Sequence, residues 1–195
     1  MLSIGVTYSW SRKMKLIPEL DGELSITSTE QQFDTTLRER VVRGFLGMQP
    51  GIRQQYEVID SDSGERTVRA TNWLTAINIG MNHLSLKNAG KGKLTYRLTY
   101  WRWTAYCVAL GAILGLVMMV LFLVMDVREY IANNPQARIP GLTIDQNVYF
   151  AWGNIVFWGF VWPWILVAMH KRTLRKMVAK TISEIDATAT VQSEQ

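Results

Sequence analysis

The 195-residue chain has one cysteine, Cys107, and two histidines, His83 and His170. A single cysteine permits no intrachain disulfide, and neither a zinc cluster nor a dithiol redox pair can be built from it. Cys107 lies inside an apolar run, where it reads as a small packing residue. Neither histidine has a partner at metal-ligand spacing, so no metal is expected. No nucleophile motif is present. The glycine-lysine stretch "NAGKGK" at Asn88–Lys93 lacks both the Gly-x-x-x-x-Gly-Lys-Ser/Thr spacing and the following helix of a phosphate loop, and reads as a hairpin tip. Asp60, Asp62 and Glu65 fall in a turn without the length or closing glutamate of a calcium loop. His83 alone remains as a candidate general base, with no evident carboxylate to orient it. The expectation is a non-catalytic chain without cofactor. Although formal net charge is +5, no dense basic stripe interleaves with aromatics, so nucleic acid is not an expected partner.

Charge itself is missing from two stretches. Charged residues make up 19% of the chain and mean hydropathy is only +0.03, yet Trp103–Met125 holds no charge in 23 positions and Gln146–His170 none in 25. At about 1.5 Å per residue, a helix over either run crosses a hydrocarbon layer of roughly 30 Å. The first run is apolar on every face, unlike a soluble helix with its polar stripe. The second contains Asn147, Gly153, Asn154, Gly159 and Pro163, all tolerated in membrane helices, and it is rich in tryptophan. Trp101, Trp103, Trp162, Trp164, Lys171 and Arg172 are the expected membrane-interface residues. Lys87, Lys91, Lys93, Arg97 and Arg102 precede the first run, and Lys171, Arg172, Arg175, Lys176 and Lys180 follow the second. Only Arg128 and Arg138 lie between. By the positive-inside rule both termini are cytoplasmic, in a cytoplasmic (inner) membrane crossed twice. In the first run Gly111 and Gly115 form a G-x-x-x-G step that lets the chain's own second run pack against it, or else a homodimer or foreign subunit, and Asn154 is placed to hydrogen-bond across to that face.

The residues before the first run read mainly as strands. Leu2, Ile4, Val6, Tyr8 and Trp10 alternate at period two, which suits a strand better than a cleavable secretory segment. Leu24–Thr27 is a short strand after the Asp21-Gly22 turn. Phe33, Leu37, Val41 and Phe45 then recur every four residues on a helix opened by Ser28 or Thr29 and closed by Gly44 or Gly47. Gln49–Gly51 breaks the chain. Arg53–Ile59 and Thr67–Ala76 form a hairpin around Asp60–Glu65, and Ile77–Leu86 continues as a strand kinked near Gly80. A last strand alternates Leu94, Tyr96, Leu98 and Tyr100 with Thr95, Arg97, Thr99 and Trp101. After the second run, Leu174, Met177, Val178, Ile182 and Ile185 form an apolar stripe at helical spacing. It is suited either to covering the sheet or to lying on anionic lipid. From Ala187 onward disorder is expected.

The expected fold class is α+β. A cytoplasmic antiparallel-sheet domain with one or two helices occupies residues 1–102, and the first transmembrane helix residues 103–126. An extracytoplasmic connector follows at 127–146, the second transmembrane helix at 147–170, and a basic amphipathic cytoplasmic helix at 171–195. The strand "LSIT" (Leu24–Thr27), the Ser/Thr-Glu helix start in "STEQQFDTTL" and the long antiparallel strands that follow resemble the START-like (SRPBCC, helix-grip) superfamily of lipid- and polyketide-binding domains. The resemblance covers about residues 20–103. It implies a curved sheet wrapped around a long C-terminal helix, with a cavity for apolar ligands. The chain departs from the family in having an apolar span directly after the last strand, and only one helix between the first two strands. Ligand contacts are assigned to Trp73, Met81, His83, Tyr96 and Tyr100. The leading function is therefore a membrane-anchored module that binds a lipid or another apolar small molecule. The alternative is an accessory or scaffold subunit of a membrane complex or homo-oligomer, recruited through Gly111, Gly115 and Asn154. An enzyme acting through His83 on a lipid-soluble substrate ranks last.

Overall fold

The computed structural model describes residues 18–46, 56–61 and 64–192. The strand expected over Leu2–Trp10, the break at Gln49–Gly51, the first residues of the Arg53–Ile59 strand and Asp62 lie outside them. The chain divides into two compact units, Met1–Thr104 with His170–Gln195, and Ala105–Met169.

The first unit is built on β1 (Glu19–Ser25), β2 (Tyr56–Asp60), β3 (Glu65–Ala70), β4 (His83–Gly90) and β5 (Lys93–Thr99), in one sheet of order β1-β5-β4-β3-β2 with every pairing antiparallel. Alternation gives it two unlike faces. Leu20, Val68, Leu84, Leu86, Tyr96 and Leu98 are buried on the inner face. Asp21, Glu57, Arg69, Lys87 and Arg97 stand exposed on the other. The hairpin between β4 and β5 turns through Lys91 and Gly92, both at positive φ (53° and 69°), the backbone that matches the twist of paired strands.

Two helices cover the inner face. The first, α1 (Glu30–Arg43), is opened by Thr29, whose hydroxyl accepts from the Gln32 N–H while the Gln32 side chain accepts from the Thr29 N–H. It ends at Gly44, one of the two glycines the sequence offers, and buries Phe33, Leu37 and Val41. Arg38 reaches Asp60 of β2 at 2.6 Å, and Arg66 of β3 reaches Asp34 at 2.7 Å and Glu30 at 2.9 Å. Asp60 is thereby paired with a guanidinium. The second covering element is the end of the chain. In α6 (Trp162–Gln192), the side chains of Leu174, Val178, Ile182, Ile185 and Ala189 are at most 1% exposed. Burial of each larger one is worth about 1.5–3 kcal/mol. The stripe thus covers the sheet, and the helix continues through the tail expected to be disordered: Thr190 Oγ1 donates to the Asp186 carbonyl at 2.9 Å and the Gln192 side chain accepts from Thr36 at 3.2 Å.

Two strand expectations fail. The Asp21-Gly22 turn expected before Leu24–Thr27 lies inside β1, where both residues pair with β5. Trp73–Ile79, placed by sequence within strands, is the helix α2. The Asn72 side chain caps it by accepting from the Thr75 N–H at 2.7 Å, and Gly80 closes it at φ 73°. Local capping overrides the β preference of the apolar run, and β4 starts only at His83.

The second unit contains α3 (Trp101–Val124) from Ala105 on, α4 (Val127–Asn133), a 3-10 turn at Pro135–Ala137, α5 (Ile144–Val156), a π-helical turn at Phe157–Val161 and the first residues of α6. Proline at position 163 lacks an N–H and its ring would strike the Gly159 carbonyl in a regular α-helix. The wider turn relieves that clash, with the Trp162 N–H bonded to the Phe157 carbonyl. The segment between the two apolar runs is ordered around Asn147, a buried residue at the start of α5. The Asn147 carboxamide oxygen accepts from the Ile139 N–H at 2.7 Å, and its NH2 donates to the carbonyls of Thr143 (2.9 Å) and Leu142 (3.3 Å). Arg138 donates to the carbonyls of Ile131 and Ala132.

Gly111 and Gly115 are the buried residues of α3. A Cβ on Gly115 would sit 3.0 Å from the Gly159 Cα, and one on Gly159 would sit 2.7 Å from the Gly115 Cα. A Cβ on Gly111 would collide with the Pro163 ring. The small-residue face is therefore occupied by the chain's own second apolar helix. Gly115→Leu is expected to lower the melting transition in detergent by the equivalent of about 1–3 kcal/mol, a typical overpacking cost. Gly153→Leu, with nothing within 4 Å of its added Cβ, should leave it unchanged. Equal effects would show that the backbone contact is not what holds these helices.

At the far end of α6, Asp186 accepts from the Thr27 N–H (3.0 Å), the Ser28 N–H (2.9 Å), the Ser28 hydroxyl (2.6 Å) and the Thr27 hydroxyl (3.0 Å). Partial burial pushes its pKa up, but the hydrogen bonds from Ser28 and Thr27 together outweigh burial and hold it below 3.8. Since the folded value lies below the unfolded one, the carboxylate's contribution is present above about pH 4 and disappears as pH falls through the folded value. Asp186→Asn should cost about 1.5–3 kcal/mol at pH 7, the scale of hydrogen bonds to a charged group. The difference from wild type should shrink on acidification, measured by tryptophan-monitored unfolding. A pH-independent difference would refute the charge's role.

Candidate functional site

The residues assigned to ligand contact do not form one cluster. Met81, Tyr96 and Tyr100 are buried, at 0%, 6% and 2% exposure. Gly22 lies opposite Tyr96 in the β1–β5 register, and the Tyr96 ring occupies the space a Cβ on Gly22 would need. Tyr100 presents its ring edge-on to His170, centroids 6.1 Å apart. These three belong with the core that α6 covers. His83 alternates with the buried Leu84 and so faces the outer, polar side of the sheet. It stands in a cross-strand row between Arg69 and Thr99. Partial burial pushes the His83 pKa down, and the charges of Arg102 and Arg69 lower it further. Trp73 opens α2 and is half exposed.

His83 stands beside a polar group that sequence patterns do not reveal. Asn82 is 1% exposed. Its N–H donates to the Thr99 carbonyl at 2.8 Å, its carbonyl accepts from the Ala70 N–H at 3.0 Å, and its side-chain oxygen accepts from the Arg102 N–H at 3.2 Å. It therefore joins β3, β5 and the first turn of α3. Asn82 Nδ2, Thr99 Oγ1 and Arg102 Nε are enclosed with no hydrogen-bond partner among the described residues. A lone asparagine between two strands carries no periodicity, which is why the sequence gives no signal for it.

The interface residues separate in the same way. Trp101 and Trp164 are exposed, whereas Trp103 is half-buried and stacks on His170 with centroids 4.0 Å apart. His170 Nε2 lies 3.2 Å from the Gly80 carbonyl. Its ring also fills the space beside Gly80, so that position excludes a side chain on steric grounds as well as by its backbone. Trp162 packs on Trp158, centroids 5.1 Å apart. Lys171 is half-buried and Arg172 exposed. Asn154, expected to reach across to the glycine face, instead donates to the Phe150 carbonyl of its own helix at 2.9 Å. An i−4 bond satisfies the amide without a partner helix.

The two long helices are long and apolar enough to cross a membrane. No His, Cys, Asp or Glu cluster able to hold a metal occurs among the described residues. Together the two units define an α+β domain joined to an apolar helical hairpin. No family model, curated protein or solved structure matches the chain.

The electrostatics around His83 can be read directly by NMR titration of its ring in the full chain. Its midpoint should fall below 6.5, and Arg102→Gln should raise it by removing one of two like charges. Because the folded value lies below the unfolded one, protonating His83 costs stability as pH drops beneath the unfolded value. A midpoint at or above the ordinary value, or one indifferent to Arg102→Gln, would refute this electrostatic environment.

Proposed function

We propose that the protein is a two-span integral membrane protein whose soluble unit is a helix-grip domain of the START-like kind, binding a lipid or another apolar ligand at the cytoplasmic face. The observation that carries the reading is the sheet order β1-β5-β4-β3-β2 with its inner face covered by the C-terminal helix. This is the arrangement the resemblance implies, and it supplies the gripping helix that the sequence after β5 lacks. The apolar hairpin is then an insertion between the last strand and that helix.

Membrane insertion is supported by where the apolar side chains of α3 point. Leu110, Ile113, Leu116, Val120 and Leu123 are about half exposed or more, whereas the core helix of a soluble protein would bury them. Orientation with both termini in the cytoplasm is supported by the connector's two arginines. Arg128 pairs with Asp145 at 2.8 Å and Arg138 is bound to backbone carbonyls, while the basic residues before α3 and after Met169 are more numerous.

Ligand binding belongs to the inner face, beside Met81, Tyr96 and Tyr100. With the α6 stripe buried there, a ligand is admitted only as α6 lifts from the sheet, so ligand binding and helix docking compete. Removing the spans by truncation after Trp101 would also delete α6, so the test uses the full chain. A photoactivatable lipid is equilibrated with protein extracted from its own membrane, and its crosslinks are mapped by mass spectrometry. Crosslinks at Met81, Tyr96 or Tyr100 are expected. Crosslinks confined to the apolar hairpin would mean lipid that merely surrounds the spans, and would overturn the binding reading. Recovery of the chain only in a stoichiometric complex with other polypeptides, without such crosslinks, would favour the accessory-subunit alternative.

A further inference from the structure

The helix α2 buries Thr75, Ala76 and Ile79 but leaves Trp73 at 49% and Leu74 at 70% exposure. An isolated exposed apolar side chain, such as Val42 on α1, needs no explanation. Here three are grouped. Trp73 meets Trp101 edge-on, centroids 6.3 Å apart, and Trp101 is itself 45% exposed. The Arg102 guanidinium lies 5.6 Å from the Trp73 ring centroid and 5.5 Å from that of Trp101. Among the described residues Arg102 has no carboxylate partner. A guanidinium beside indole rings is held in place while its terminal amino groups, unlike the enclosed Nε, can still meet an anion.

Along the chain the charge near this group is of one sign; Arg66, Arg69, Lys93 and Arg97 pair with acidic residues of other elements, whereas among the described residues Arg102 does not. From Arg66 to Met125, sixty residues contain seven lysines and arginines and not one aspartate or glutamate. Trp101 and Arg102 also stand immediately before the 23-residue uncharged run that begins at Trp103. Exposed indoles beside an unpaired arginine at the head of an apolar helix suit the bilayer interface, where amphipathic rings settle at headgroup level and arginine pairs with phosphate. A protein partner would need carboxylates to match this surface. An anionic bilayer supplies the complement along its whole plane.

We infer that α2 and the first turn of α3 form a lipid-docking surface, with Trp73, Leu74 and Trp101 in the interfacial layer of an anionic bilayer and Arg102 against its headgroup phosphates. This rests on the two-span reading above, and it makes the soluble unit a peripheral membrane body in its own right. It also assigns Trp73 to the bilayer surface instead of to an internal ligand.

The test uses the full-length protein on a Cys107→Ala background, in nanodiscs of phosphatidylcholine mixed with phosphatidylglycerol. Single cysteines replace Leu74, Val42 or Leu116 in turn and carry a small fluorophore. Doxyl-labelled lipid quenches from the bilayer and iodide quenches from water. The Leu74→Cys probe is expected to be quenched by doxyl-lipid several-fold more than the Val42→Cys probe, approaching Leu116→Cys on α3. Adding Arg102→Gln should weaken that quenching. Iodide quenching of the Leu74→Cys probe equal to that at Val42→Cys, with Leu116→Cys still quenched by lipid, would overturn the docking surface and leave the two spans intact. Iodide access at Leu116→Cys would overturn both. Protection of Leu74→Cys from both quenchers would mean that protein covers the patch, which also overturns the proposal.

Discussion

The contact on which the soluble unit depends is that between the inner face of its sheet and the stripe Leu174, Val178, Ile182, Ile185 and Ala189. A five-stranded sheet with one apolar face cannot stay exposed to water, and α1 alone is too short to cover it. The chain solves this with its last segment, so Ser28 and Asp186, 158 positions apart, meet directly. Closing so long a loop costs little more than closing a short one, because the entropy grows only with the logarithm of length. The consequence is kinetic. The sheet keeps an open apolar face until both apolar helices and everything between them have been made; on the two-span reading proposed above, membrane insertion would then precede completion of the domain. Asp186 then acts as a latch at the far end of the stripe, where its single carboxylate binds the loop between β1 and α1.

The apolar hairpin obeys a different constraint. If the hairpin spans a bilayer, as proposed above, there is no gain from hiding leucine there, and its helices associate where their backbones approach closely. Gly111 and Gly115 meet Gly159 and Pro163, and the π-helical turn at Phe157–Val161 makes room for a proline that lacks an N–H. The features of "FWGFVWPW" that look damaging to a helix are thus its contact surface. Asn147 has a comparable role in the connector, where its three hydrogen bonds fold the short segment after α4 back onto the start of α5.

Periodicity made much of this legible. The first helix was readable because candidate caps, Ser28 or Thr29 and Gly44 or Gly47, flank a four-residue apolar repeat, although the sequence did not choose between them. The strand Lys93–Thr99 was readable because its alternation is unbroken. Both long apolar helices follow from uncharged runs alone. The α2 helix was not legible, since seven residues rich in isoleucine, leucine and tryptophan fit a buried strand as well as a short helix, and only the Asn72 cap and Gly80 decide between them. The role of the stripe in α6 stayed open in sequence because an amphipathic basic helix suits lipid and sheet equally; only the partner surface distinguishes them. The five ligand residues were grouped by their apolar or aromatic character, and the strand register then parted His83 from Tyr96. Alternation assigns residues to a face, but it does not say which face a ligand would use.

Local rules are broken most at one place. Asn82, Thr99 and Arg102 enclose polar atoms without partners among the described residues where the sheet meets the first turn of α3, and an unsatisfied buried group costs about 1–3 kcal/mol. Sequences that are otherwise locally consistent keep such costs where function demands them. Around the same point α2 turns two apolar side chains outward, Arg102 stands beside two indoles, and partial burial together with neighbouring guanidiniums lowers the His83 pKa. The α6 stripe and the Asp186 latch explain why the domain is stable, but they do not require any of these features. Their common position, at the head of an apolar helix and within an acid-free stretch, is accounted for if that end of the sheet is built for a negatively charged, partly apolar surface.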